Sequence, residues 1–387
     1  MNARELTEKY EQYVIDLRRE FHMHPELSLK EDWTRARIAE ELKALGIPCE
    51  EVAGHNVVGV VDSGKPGKSI AIRADFDALP LVEEVDVPFK SQIPGCMHAC
   101  GHDAHAACLL GIGRILNDLK DTFNGKVYLC FQAAEEAGRC ADEIVDYLKA
   151  KGGVDGAIGM HVAGALEPGY VELREGARLS GAEIFYIDIK GVGGHGSRPD
   201  LTINPIQAAV EVYQRLLTIP ATHHSMFDTC VVSPCCLKAG ERFNIIPETA
   251  HIEGTIRYYK MGDGEVVLEK IRKAAESICA SHGCTVTVTN TAGAKYPLIN
   301  DAASIAMARE IATEIGLKLA DDLDPSAGSD NFAEFLAAFP GFYMNLGTHS
   351  NRPGTSGNHH NPTFDVDEST FKKDMELFVL YTQRFLA

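Results

Sequence analysis

Apolar side chains recur at three- and four-residue steps from Leu6 through Tyr10, Tyr13, Val14 and Leu17 to Phe21, a period that predicts an amphipathic helix over residues 5–24, closed by Pro25. Residues 34–45 repeat the pattern and stop at Gly46, as a helix with a glycine C-cap does. Two β-branched apolar runs, residues 56–62 and 69–74, flank Ser63-Gly64-Lys65-Pro66-Gly67-Lys68 and predict a hairpin. Helical periodicity over 104–119 and 141–150 then alternates with short apolar strands over 127–132 and 157–162. This alternation predicts an α/β fold with a parallel or mixed sheet.

The texture changes near Gly181. Residues 184–190 alternate as a strand, Gly191-Val192-Gly193-Gly194-His195-Gly196 is a flexible turn, and Asn204-Pro205 opens a helix reaching 217, with proline in its favoured first turn. Strands over 249–259 and 285–289 with a helix over 264–281 between them complete a βαββαβ-like block. After Tyr296-Pro297-Leu298, helices over 302–316 and 371–387 and a strand over 342–346 resume the first style. The expected organisation is a discontinuous first domain, 1–180 and 295–387, into which a smaller α+β domain, 181–294, is inserted.

Composition narrows the function. The 387 residues are 45% hydrophobic and 24% charged, as in an ordinary globular protein that buries most of its apolar side chains. A formal charge of −18 would repel phosphate backbones and anionic lipid, so nucleic acid and membrane are not expected as partners. Residues 1–19 are charged throughout and carry no signal-peptide core, which predicts a cytoplasmic protein. Eleven cysteines at irregular spacing do not suggest a disulfide framework.

The densest chemistry is Cys96-Met97-His98-Ala99-Cys100-Gly101-His102-Asp103-Ala104-His105. Glu135-Glu136 follows the strand 127–132, His161 ends the strand 157–162, His359-His360 follows 342–346, and Asp75 and Asp77 follow 69–74. Strands thus deliver carboxylates and imidazoles at their carboxyl ends, the edge at which open α/β sheets bind ligands. One metal site at that edge accounts for all of them. Taken singly, each has a plainer explanation: a solvated helix start for the glutamates, a hydrogen-bonded core histidine for His161, a polar turn for His359-His360. A closed zinc knot competes for the Cys/His stretch, but four ligands at two-residue steps fit a tetrahedron poorly and leave Glu135-Glu136 unexplained.

Six segments in order, Arg73-Ala-Asp-Phe-Asp-Ala-Leu-Pro80, Met97-His-Ala-Cys-Gly-His-Asp-Ala-His105, Phe131-Gln-Ala-Ala-Glu-Glu136, Gly159-Met-His161, Gly193-Gly-His-Gly-Ser197 and His360-Asn-Pro-Thr-Phe-Asp-Val-Asp-Glu368, resemble the M20 metallopeptidase family. Within it the chain is most similar to the amidohydrolase subfamily of hippurate, N-acyl-amino-acid and auxin-conjugate hydrolases. The resemblance implies a mixed-sheet catalytic domain holding two divalent metal ions on Cys100, His102, Glu136, His161 and His360, with Cys100 as the bridge. The partition of the other ligands between the metals stays open. A helix amino terminus and two cations would both favour the Cys100 thiolate. Asp77 matches a position that orients a ligand imidazole. Zinc or manganese suits the donor set, and cobalt or nickel is also admitted.

The implied reaction is metal-assisted hydrolysis of an N-acyl amino acid, with Glu135 taking a proton from the attacking water and passing it to the leaving nitrogen. The inserted block is implied to be a lid and dimerisation domain. Its His195 would hydrogen-bond the oxyanion, commonly in the partner's site. Asn244 and Arg257 would bind the substrate carboxylate, which Arg257 suits through its planar fork. Gly328 and Ser329 lie in a stretch that borders the substrate in relatives. There Asp330 and Asn331 stand where the subfamily usually has Glu and Asp, a departure that bears on acyl or amino-acid preference. Two alternatives stay open: a dipeptidase or carboxypeptidase using the same site, and a non-catalytic metal- or ligand-binding protein.

Overall fold

A computed structural model describes residues 1–387, apart from the side chains of His223 and Ala292. The chain divides into two compact units, one formed by 1–176, 299–324 and 334–387, the other by 177–298 and 325–333. Residues 325–333, expected with the first domain, pack with the second unit.

The first unit is built on a mixed sheet that is eight-stranded among the described residues. Its centre is a run of four neighbouring strands, Lys126–Gln132, Ser69–Asp75, Gly156–Ala163 and Gly341–Gly347, all parallel to one another. Their near-continuous burial is what a sheet covered on both faces requires. The hairpin expected from residues 56–74 does not form. Asn56–Asp62 instead pairs antiparallel with Lys126–Gln132, which lies between it and Ser69–Asp75. A Gly- and Pro-containing link joins two strands that are neighbours in sequence but not in the sheet.

Helices Ala3–Met23, His102–Asp118 and Phe371–Phe385 pack on one another. They meet at Gly111, where a Cβ would lie 2.5 Å from Val14 Cγ2 and 2.6 Å from Met375 Sδ. Only a bare backbone permits that approach.

The second unit has its own core, centred on Phe185, Ile187, Val212, Leu216, Ile252 and Ile271. Its antiparallel sheet runs Cys230–Ala239, Thr249–Tyr258, Gly181–Lys190, Thr285–Ala294, with helices Pro205–His223 and Asp263–Ser281 packed on it. In chain order this is βαββαβ. The strand Cys230–Ala239 escapes sequence reading because it contains Pro234 beside a register shift. Both are tolerated on an edge strand.

Asp374, fully buried on the helix Phe371–Phe385, is pushed up to about 7 by burial, with the nearby Cys108 thiol opposing the shift. The folded state therefore holds a proton that the unfolded chain has released, so stability falls as pH rises from the ordinary carboxylate range through about 7. Asp374→Asn should melt higher than the parent at pH 8, with the difference shrinking toward pH 5; an equal melting difference at both pH values would contradict this.

Candidate metal centre

The four parallel strands all end on the same side, and the donor side chains follow from that arrangement. Ser69–Asp75 ends at Asp75, with Asp77 two residues on; Lys126–Gln132 leads into the 3-10 turn Glu135–Ala137; His161 lies near the end of Gly156–Ala163; and the loop after Gly341–Gly347 carries His360. Cys100 and Gly101 precede the helix His102–Asp118. Gly101 takes a left-handed φ of 93°, where a Cβ would collide with Val162 Cγ2.

These elements bring three donor trios together: Cys100, His102 and His161; Cys100, Glu136 and His360; and His102, Glu135 and Glu136, the atoms of each lying within 4.8 Å of one another. Cys100 belongs to the first two. Its Sγ lies 3.4 Å from His161 Nε2, and His360 Nε2 lies 3.2 Å from Glu136 Oε1. The His360 N–H donates to Ala99 O at 2.8 Å, tying its loop to the residue before Cys100.

The imidazoles are oriented from behind. His102 Nδ1 lies 3.0 Å from both Asp77 Oδ1 and Asp77 O, so it donates there and its Nε2 faces the cluster. That Nε2 and Glu136 Oε1 are buried without a hydrogen bond. His161 Nδ1 lies 2.6 Å from Val162 O, which likewise leaves Nε2 toward Cys100. Orphaned, buried nitrogen and oxygen lone pairs beside a thiol form a donor set that fits a divalent cation of the zinc type.

Burial outweighs the neighbouring His102 and pushes the Cys100 thiol well above its usual range. A bound cation would oppose that effect by favouring the thiolate. Asp77 is held low by hydrogen bonds from His102 and Ser28, against the opposing effect of burial.

Not every titratable group nearby is a free donor. Asp75, His102 and His105 also lie within reach of one another, but His105 Nδ1 is engaged by Asp75 Oδ1 at 2.5 Å and His105 Nε2 accepts the Val162 N–H at 3.0 Å. Arg73 pairs with Asp75 at 2.7 Å. Arg73, Asp75 and His105 thus form a scaffold behind the cluster. His98 is buried and pushed down to about 4 by that burial; nothing in the structure explains its placement.

The signature of peptidase family M20/M25/M40 matches residues 71–384. The chain belongs to this family. It is 36% identical to thermostable carboxypeptidase 2 of Saccharolobus solfataricus over 94% of this chain and 92% of that one. To N-acetylcysteine deacetylase of Bacillus subtilis it is 33% identical over 94% of both chains. The crystal structure of the Bacillus subtilis YXEP protein, a dinuclear metal binding peptidase from the M20 family, superposes with a TM-score of 0.84 at 30% identity, covering 98% of this chain and 99% of that one. This M20 protein is a hydrolase, and no helix among its described residues is long and apolar enough to cross a membrane.

The remaining motif residues of the M20 chain lie in the second unit. His195 pairs across a short ladder with Ile245, and its Nδ1 accepts the Ser197 N–H at 3.1 Å. Neighbouring Asn244 accepts the Gly196 N–H through its carbonyl at 2.9 Å. Arg257 is half-buried on the strand Thr249–Tyr258, opposite Val231 and Ala182. Gly328 and Ser329 are exposed, with the Gly328 carbonyl accepting the Ser180 N–H at 2.9 Å. Asp330 Oδ1 accepts the Phe332 N–H at 2.7 Å, a local turn that the shorter side chain makes possible.

Two residues that no sequence pattern singles out hold the glutamate turn. Asn56 Oδ1 accepts from Ala133 N and Glu31 Oε1 from Ala134 N, each at 2.9 Å. Asp77 Oδ2 accepts from Glu136 N at 3.1 Å. Asp77→Asn should therefore weaken metal binding by about 10- to 100-fold, measured by chelator competition; unchanged affinity would show that the carboxylate does not orient the cluster.

Proposed function

We propose that this M20 hydrolase is a two-metal amidohydrolase that cleaves N-acyl amino acids to a carboxylic acid and a free amino acid. The observation that carries the reading is the sharing of Cys100 by two donor trios. Cys100, His102, His161, Glu136 and His360 would hold the two cations, with Cys100 within reach of both groups. Zinc or manganese best suits a thiolate, imidazole and carboxylate set, with cobalt or nickel also accommodated. Two cations so held would supply Lewis-acid activation of the attacking water and the scissile carbonyl.

The protein's own part is orientation and proton transfer. Asp77 keeps the His102 proton on Nδ1 and Nε2 turned inward. Glu135 and Glu136 occupy one short turn, with a carboxylate oxygen of each within 4.8 Å of a His102 ring nitrogen, and the two divide the work. Glu136 ligates, while the Glu135 carboxylate takes the water's proton and returns it to the departing nitrogen. His195 as oxyanion donor, Asn244 and Arg257 as carboxylate ligands, and Gly328 and Ser329 beside the substrate enter on motif position alone. A cytoplasmic homodimer belongs to the same proposal.

The deacetylase relative supports an N-acyl substrate, and the carboxypeptidase relative favours a second reading in which the same site removes a carboxyl-terminal residue. One amino acid offered as its N-acetyl, N-benzoyl and N-aminoacyl derivatives separates them. The proposal expects turnover of the first two to dominate; preference for the last selects the peptidase. Glu135→Gln should lose nearly all turnover while retaining both metals by elemental analysis, and full activity would remove Glu135 from the mechanism.

A further inference from the structure

The turn that presents Glu135 is held in an unusual conformation. Ala134, immediately before it, sits at φ 54° and ψ 37°, a left-handed backbone that L-residues avoid because the Cβ crowds the following carbonyl oxygen. Ala134 is fully buried, so its N–H must find a partner inside the protein. That partner is Glu31 Oε1 at 2.9 Å.

Glu31 is poorly explained by local stability. It is 4% exposed and stands at the amino end of the helix Asp32–Ala44, yet its side chain makes no capping hydrogen bond there. The first N–H groups of that helix are taken by Glu26, whose carboxylate accepts from Trp33 N at 3.2 Å and Thr34 N at 2.8 Å. Burial, with Asp77 adding to it, pushes the Glu31 carboxyl up to about 7. A buried carboxyl that caps nothing and lies near another acid weakens the fold locally unless its contact to the turn has another use.

We infer that Glu31 is a positioning residue for the Glu135 base: its carboxylate holds the Ala134 N–H and so fixes the left-handed turn from which Glu135 projects. The inference rests on the proposed role of Glu135. Without Glu31 a buried N–H is orphaned, which the fold tolerates poorly because the desolvated donor has no acceptor. Ala134 then relaxes toward an ordinary backbone, and the Glu135 carboxylate moves with it. The metal donors are anchored independently, since Glu136 N is held by Asp77 and His102 by the same carboxylate.

The test compares Glu31→Ala and Glu31→Gln with the parent and with Glu135→Gln in kcat, KM, metal content and melting temperature. Glu31→Ala should lose on the order of 100-fold in kcat, the scale of an ångström's misplacement of a reacting group, with KM and two metals per chain retained. Glu31→Gln, which keeps an acceptor oxygen for the Ala134 N–H, should recover most of the loss. Undiminished kcat in Glu31→Ala beside an inactive Glu135→Gln overturns the inference and leaves the base intact. Loss of metal in Glu31→Ala, or a loss of kcat that Gln does not relieve, overturns it in favour of a structural role. An active Glu135→Gln removes the proposed base itself.

Discussion

A single buried carboxylate, Asp77, ties the cluster together. It accepts hydrogen bonds from His102 Nδ1, from the backbone N–H of Glu136 and from Ser28 Oγ. Those contacts fix a histidine at a helix start, a glutamate in a turn after another strand, and the loop before the second helix. A carboxylate that satisfies donors from several segments can stay ionised in the interior. Its position just past Ser69–Asp75, beside the ends of two parallel neighbours, is what lets one group reach them all.

Behind this hub lies a second layer of buried charge. Arg18, fully buried on the first helix, pairs with Asp103 at 2.8 Å, Glu368 at 3.2 Å and Asp365 at 3.6 Å. His22 joins Asp103 at 2.7 Å and Glu83 at 3.1 Å. Asp103 follows His102 directly, and Asp365 and Glu368 lie a few residues beyond His360. The network therefore braces both ends of the donor cluster against the helix Ala3–Met23. Buried ion pairs add little net stability because desolvation opposes them, but removing one partner leaves a stranded charge. Their value here is geometric.

Much of this was legible in the sequence because chemistry-bearing residues follow short apolar strands at one end, a relation visible without coordinates. Asp77, Glu135, Glu136, His161 and His360 stand in such positions, while Cys100 and His102 were marked by the density of the Cys/His stretch before a helix. Pairing was less legible. Residues 56–62 and 69–74 look like a hairpin because only six residues separate them, yet sheet order is decided by long-range packing, and Lys126–Gln132 inserts between them. The strand Cys230–Ala239 was hidden by Pro234. Glu31 and Asn56 were invisible for a different reason: each accepts a hydrogen bond from a backbone N–H far along the chain, Ala134 and Ala133, and no spacing rule encodes such a contact.

The split of the first unit constrains the order in which a growing polypeptide can acquire structure. Its three-helix contact at Gly111 needs Met375, which follows the second unit along the chain, while that unit lies almost wholly within residues 177–298. The inserted unit can close its own core during translation. The amino-terminal half must wait, its apolar helix faces uncovered, until the carboxyl-terminal helix arrives. The faces left uncovered in that interval are those of Ala3–Met23 and His102–Asp118, and the second of these helices begins two residues after Cys100.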